Sequence, residues 1–224
     1  MSAHPADGAG RPGSVRTACV PGARLTGWVE RFSAAHGGFR LSDDADGVRL
    51  VAADGTTALL QPPWPADGRP GRGAGPLERL ASVASQPRRL GILLVRRGGY
   101  GIAVASEGVV VVSKAGTRYV QSRTAAGGQS QQRFARRRSN QADELVQAVA
   151  GQARQVFSGQ SFEYVVPGGD RTLVGLVLEE PVLKDYARLP RLAYLDVADP
   201  RAAVLKNAAA DACAVRVQVA DPPD

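Results

Sequence analysis

The chain has 224 residues, 44% hydrophobic but only 5% aromatic, which allows an aliphatic core of one or two domains and argues against aromatic platforms for stacking bases. No apolar run approaches the roughly 20 residues that span a bilayer, and no membrane partner is expected. The two cysteines, Cys19 and Cys213, lie far apart and suit a reducing cytoplasm better than a disulfide framework.

Residues 1–14 are polar and rich in Gly and Pro, and read as a disordered tail. Apolar residues at Leu25, Trp28, Val29 and Phe32 have helical spacing, closed by Gly37-Gly38. The runs FRLS, VRLVAAD and TTALLQ follow as strands, the last two joined across Asp54-Gly55, a hairpin signal. These elements make a small helix-plus-hairpin unit at residues 15–61. The Pro- and Gly-dense stretch 62–76 reads as a linker.

A second unit is expected over residues 77–224. It opens with a short helix at 77–84. The β-prone runs LGILLVR, YGIAVAS, VVVVS and TRYVQS follow, separated by turns at Arg97-Gly98-Gly99, Glu107-Gly108 and Lys114-Ala115-Gly116. Four such runs predict an antiparallel meander. A basic polar stretch at 123–140 leads into an amphipathic helix of about five turns, with Leu145, Val149, Ala153 and Val156 on one face. Beyond it, TLVGLVLE reads as a buried strand, PVLKDYARL as a helix and RLAYLDV as a strand. PRAAVLKNAAADAC reads as a helix with Pro at its start, and AVRVQV as a last strand. The fold class is therefore α+β, a mixed sheet with flanking helices.

Charge is distributed unevenly. Against 28 basic and 21 acidic residues, the stretch between Gly108 and Ala142 holds no acid and seven bases: Lys114, Arg118, Arg123, Arg133, Arg136, Arg137 and Arg138. The net charge of +7 therefore resides entirely in that block. A solvated basic face usually carries interspersed acids, whereas a block of one sign suits a polyanion such as RNA.

Inside the block, residues 123–138 read RTAAGGQSQQRFARRR. Adjacent glycines open backbone conformations closed to other residues and let a backbone approach a ligand. The amide side chain beside them offers a donor and an acceptor but no acid–base capacity near neutral pH. Arg133, Arg136 and Arg137 stand three and four apart, so they share a face if the stretch is helical, and guanidinium groups suit phosphate oxygens. A nucleophile–base pair is missing: His4 lies in the tail and His36 in the other unit. Ser130 therefore reads as a cap for the following helix rather than a nucleophile, and Phe134 as an anchor of the stem rather than a stacking group. Glu179-Glu180 follows a run expected to be a strand, where adjacent side chains face opposite ways and could not act as an acid pair. No Cys/His cluster is present to hold a metal, and no cofactor is expected.

The stretch GGQSQQRFARRR resembles the catalytic loop of eukaryotic and archaeal class-one release factors, where a Gly-Gly-Gln tip precedes Ser and an Arg-Phe-Ala-Arg run entering a long helix. KAGTRYVQSRTAAGGQS is similar to the same region of the Vms-type hydrolases, which clear peptidyl-tRNA from stalled large ribosomal subunits. Within that grouping, the chain most resembles a bacterial, actinobacterial-type Vms-like release factor family. A bare Gly-Gly-Gln arises by chance in roughly one chain in twenty of this length. The arginine run in register makes the longer match far more specific. It covers about a dozen residues sharply, and residues 77–224 more loosely through the order of elements.

The resemblance implies a peptidyl-tRNA hydrolase working on the large subunit, with rRNA and peptidyl-tRNA as partners. Gly127, Gly128 and Gln129 would be the catalytic loop. Ser130, Gln131 and Gln132 are possible auxiliaries, the two glutamines as alternative water-positioning amides, and the seven bases would hold RNA phosphates. No counterpart of the stop-codon-reading domain is visible, so rescue of stalled translation is expected rather than decoding. The rival expectation is a non-catalytic ribosome- or RNA-binding factor that uses only the arginine stem.

Overall fold

The computed structural model describes residues 15–117 and 130–222, with side chains described except at 43 and 130–141. The described residues form two compact units, one within Met1–Ser85 and Ala214–Asp224, the other Gln86–Cys213. Both contain helices and strands, so the fold is α+β as expected.

The first unit is a five-stranded antiparallel sheet of β1 (Val15–Val20), β2 (Phe39–Asp44), β3 (Gly47–Ala52), β4 (Thr57–Gln61) and β9 (Val215–Ala220), in the order β1-β9-β4-β3-β2. Helices α1 (Leu25–Ala35) and α2 (Pro76–Ala84) share its core. Leu25, Val29 and Phe32 from one helix and Leu80 and Ala84 from the other join Leu50, Ala58, Leu60, Val215 and Val217. Period-two alternation in the strands and helical spacing in α1 thus bury one face each.

The expected boundaries shift here in two ways. Helix α2 and strand β9, assigned by sequence to residues 77–224, belong to the first unit. Their patterns, Leu80 with Ala84 and Val215 with Val217, specify an apolar face but not which core receives it. The stretch 62–76 also packs rather than links. Trp64 is buried and donates its indole N–H to the Val83 carbonyl at 2.9 Å. The Arg72 amide reaches Ser82 Oγ at 3.0 Å, and the Ala74 amide reaches Glu78 Oε2 at 2.6 Å.

The second unit is built on the sheet order β7-β6-β5-β8. Strands β5 (Arg89–Arg96), β6 (Gly99–Ser106) and β7 (Val109–Thr117) form three strands of the expected four-stranded meander, and β8 (Tyr164–Gly169) pairs parallel with β5. The β6–β7 turn has positive φ at Glu107 and Gly108, the signature of a tight hairpin. Strand β7 runs straight through Lys114-Ala115-Gly116, where the sequence predicts a turn, staying in register with β6 up to Thr117 opposite Gly99. The reason is Tyr100: a Cβ at Gly116 would come within 2.7 Å of its ring, so the aromatic covers the glycine and holds the strand together. Beyond Thr117, the expected strand TRYVQS lies outside the described residues.

Helix α3 (Ser130–Phe157) crosses from β7 to β8 and buries Leu145, Val149, Ala153 and Phe157 against Leu93, Val95, Ile102 and Val104. Strand β8 carries no clear sequence signal because Pro167 and two glycines interrupt its short β-prone run. The expected strand TLVGLVLE is instead a helix, α4 (Arg171–Glu179). Asp170 caps it, its Oδ1 accepting from the Thr172 amide at 3.0 Å and the Leu173 amide at 3.2 Å. PVLKDYARL becomes a 3-10 turn, Pro181–Leu183, and the single-turn helix α5 (Lys184–Ala187). RLAYLDV pairs with β8 only through isolated parallel bridges, Val165 with Arg191 and Gly168 with Leu195. Three steps on β8 thus match four on its neighbour, and this bulge breaks the ladder. Helix α6 (Ala202–Ala212) forms as expected and packs on the face opposite α3, where Gly101 lets Leu205 approach.

Candidate functional site

The topology brings the two elements that flank the Gly-Gly-Gln segment to one end of the second unit's sheet. Strands β5 and β7 are both antiparallel to β6, so the β5–β6 turn and the end of β7 share an edge. Helix α3 follows in the chain and leads back to the start of β8. The first core residue of α3 is Leu145. About 20 Å of helix axis, at 1.5 Å per residue, precedes it.

The sequence-predicted residues divide accordingly. Lys114 stands exposed on β7, opposite Ile102. Ser130, Gln131, Gln132, Arg133, Arg136, Arg137 and Arg138 occupy the first turns of α3. The helical spacing assumed for Arg133, Arg136 and Arg137 therefore holds along the backbone. Gly127, Gly128, Gln129, Arg118 and Arg123 lie outside the described residues.

The second unit contains no histidine. In the first unit, His36 Nδ1 lies 2.7 Å from Asp54 Oδ2, and this bond holds the Asp54 carboxyl below its usual range, helped by the Thr56 amide. Burial pushes the Cys213 thiol up to about 11, so little thiolate exists near neutral pH. Among the described residues, no group of His, Cys, Asp and Glu could hold a metal, and no helix is long and apolar enough to cross a membrane.

Sequence reasoning misses three further arginines at the same sheet end. Arg96 closes β5, Arg97 follows it in the β5–β6 turn, and Arg171 opens α4 just after β8. Scattered in sequence among ordinary turn residues, they give no signal until the strands are aligned.

Residues 88–218, more than half of the chain, match the family model described as Actinobacteria/chloroflexi VLRF1 release factor. The chain belongs to this family. No curated protein matches it. The matched segment contains the whole β5-to-α6 framework, the acid-free block and most of β9. Membership gives the chain a release-factor-like, ribosome-associated role.

Proposed function

We propose that this protein hydrolyses the ester between a nascent peptide and its tRNA on the large ribosomal subunit, in rescue of stalled translation. What carries the proposal is the sequence GGQSQQRFARRR inside the family-matched segment, joining β7 to a long basic helix. Water attacks the ester carbonyl carbon, the bond from that carbon to the ribose oxygen breaks, and a proton passes to the ribose oxygen. The backbone N–H of Gln129 stabilises the negative charge that develops on the carbonyl oxygen, and its side chain positions the water. Gly127 and Gly128 allow the backbone geometry that presents this donor.

One such donor lowers a barrier by about 3–4 kcal/mol. Substrate positioning by rRNA supplies the remainder. Lys114, Arg118, Arg123, Arg133, Arg136, Arg137 and Arg138 hold RNA phosphates, while Ser130, Gln131 and Gln132 support the loop. No metal or cofactor enters the scheme, and ribosomal work places the protein in the cytoplasm.

The test is release of labelled peptide from peptidyl-tRNA on isolated large subunits, comparing wild type with Gln129→Ala and Gly128→Ala. Release by wild type that falls at least about a hundredfold in Gln129→Ala, the lower end for losing an oxyanion donor, supports the proposal. Tight, salt-sensitive binding by wild type without release would overturn it in favour of a non-catalytic ribosome-binding factor.

A further inference from the structure

We propose that Arg97 and Arg171 form a second RNA phosphate-binding site on the second unit, apart from the acid-free block and built on the ends of β5 and β8. It rests on the hydrolase proposal only in taking tRNA as the RNA that lies there. Across this end of the sheet, the strand order places Thr117, then Gly99, then Arg96 and Arg97, then Gly169 with Arg171. Neighbouring strands lie about 4.8 Å apart, so Arg97 is about two strand spacings from the end of β7 and Arg171 about three. An RNA backbone running along this end of the sheet passes within reach of both.

The two guanidinium groups are presented differently, and both remain available. Arg97 sits at the tip of the β5–β6 turn, its side chain 77% exposed, and its nearest carboxylate is Asp170 at 3.9 Å. An exposed pair at that distance holds weakly and yields readily to a phosphate. The first oxygen of Asp170 is already engaged by the amides of Thr172 and Leu173.

Arg171 is exposed and stacks on the ring of Tyr194, 4.2 Å from its centroid. Stacking fixes the plane of a guanidinium while leaving its in-plane N–H donors free for acceptors, and among the described residues none is supplied. Tyr194 itself is anchored against the core between α3 and the sheet. Its hydroxyl is buried with no hydrogen-bond partner among the described residues, so the ring serves as a platform.

Arg96 is not part of this site. Its Nε donates to the Val197 carbonyl at 2.7 Å and a terminal nitrogen donates to Asp196 at 3.0 Å, which ties down the segment beside β8. Two exposed guanidiniums on neighbouring elements, one stacked and one held only by a long ion pair, fit a polyanionic backbone better than a single carboxylate ligand.

The probe is a fluorescently labelled tRNA acceptor-stem minihelix, titrated by anisotropy against the full chain at several salt concentrations. Arg97→Gln/Arg171→Gln is expected to weaken binding about tenfold and to reduce the slope of log affinity against log salt by between one and two. Arg97→Lys/Arg171→Lys should recover most of the slope. Affinity and slope unchanged in the glutamine double variant, with wild-type thermal unfolding, overturn the proposal. So does equal loss in a Tyr194-preserving control that changes only Arg96. Peptide release separates the two proposals. If Gln129→Ala still releases peptide while the arginine variant loses RNA, the hydrolase proposal fails and this one stands.

Discussion

Arg88 enters the core of the second unit as a cation, with a side chain only 1% exposed. It is tolerated there because it has partners: Glu163 at 3.0 Å, Gln86 at 2.6 Å and the Tyr164 ring 5.9 Å away. Removing one member of such a pair leaves the other poorly solvated, and Glu163 is itself two-thirds covered. Arg88→Ala is therefore expected to cost about 3 kcal/mol, near the lower end for broken buried pairs, read from the urea midpoint. Arg88→Met, which keeps the packing of the stem, should cost less. A midpoint for Arg88→Ala within about 1 kcal/mol of wild type would show that the pair contributes little. Nothing in the sequence PRRL separates this residue from a surface arginine. The proposed loop residues Gly127, Gly128 and Gln129 differ in this respect, because their motif is read from local order alone.

At the scale of elements, sequence reading succeeds where a pattern has one interpretation and fails where it has two. Helix α1 and the β5–β6 and β6–β7 hairpin turns are legible because helical spacing and tight-turn signals leave little alternative, whereas the turn signal at Lys114-Ala115-Gly116 is overridden by pairing with β6. Helix α4 is not, since TLVGLVLE is equally a buried strand or a short helix by periodicity. What decides it is Asp170, placed by the Gly168-Gly169 end of β8 to accept from the Thr172 and Leu173 amides. Gly169 has positive φ, and a Cβ there would collide with the Val95 carbonyl, so the position admits little else. Asp170→Ala should cost about 1 kcal/mol in thermal or denaturant unfolding through loss of the cap. Asp170→Asn keeps an acceptor oxygen and should unfold within about 0.5 kcal/mol of wild type. If Arg97 and Arg171 bind phosphate, the same substitution removes a competing charge and tightens minihelix binding. Destabilisation by Asn equal to that by Ala would mean that charge, not capping, is what Asp170 supplies.

Over the whole molecule, the consequential departure from the sequence reading is the path of the last strand. The alternation in AVRVQV marks a strand plainly, but period two says nothing about which sheet it joins. Strand β9 lies between β1 and β4, pairing with all six residues of β1 and with Thr57 to Gln61 of β4. The first unit is therefore closed by residues that come after the entire second unit. Without β9, β1 has no neighbour in its sheet among the described residues, and Val215 and Val217 leave the core. Burial of two such valines stabilises by about 1.5–3 kcal/mol each, and both ladders vanish with them, against a total stability of about 5–15 kcal/mol for a typical domain. Deleting residues 214–224 should therefore abolish cooperative unfolding of the first unit. Hydrogen exchange would show β1 to β4 unprotected while β5, β6 and α3 keep their protection. Retained protection in β3 and β4 would mean that the hairpins and α1 form a stable core without the closing strand. In that case, the boundary at the end of residue 61 that the sequence suggests would describe an autonomous unit after all.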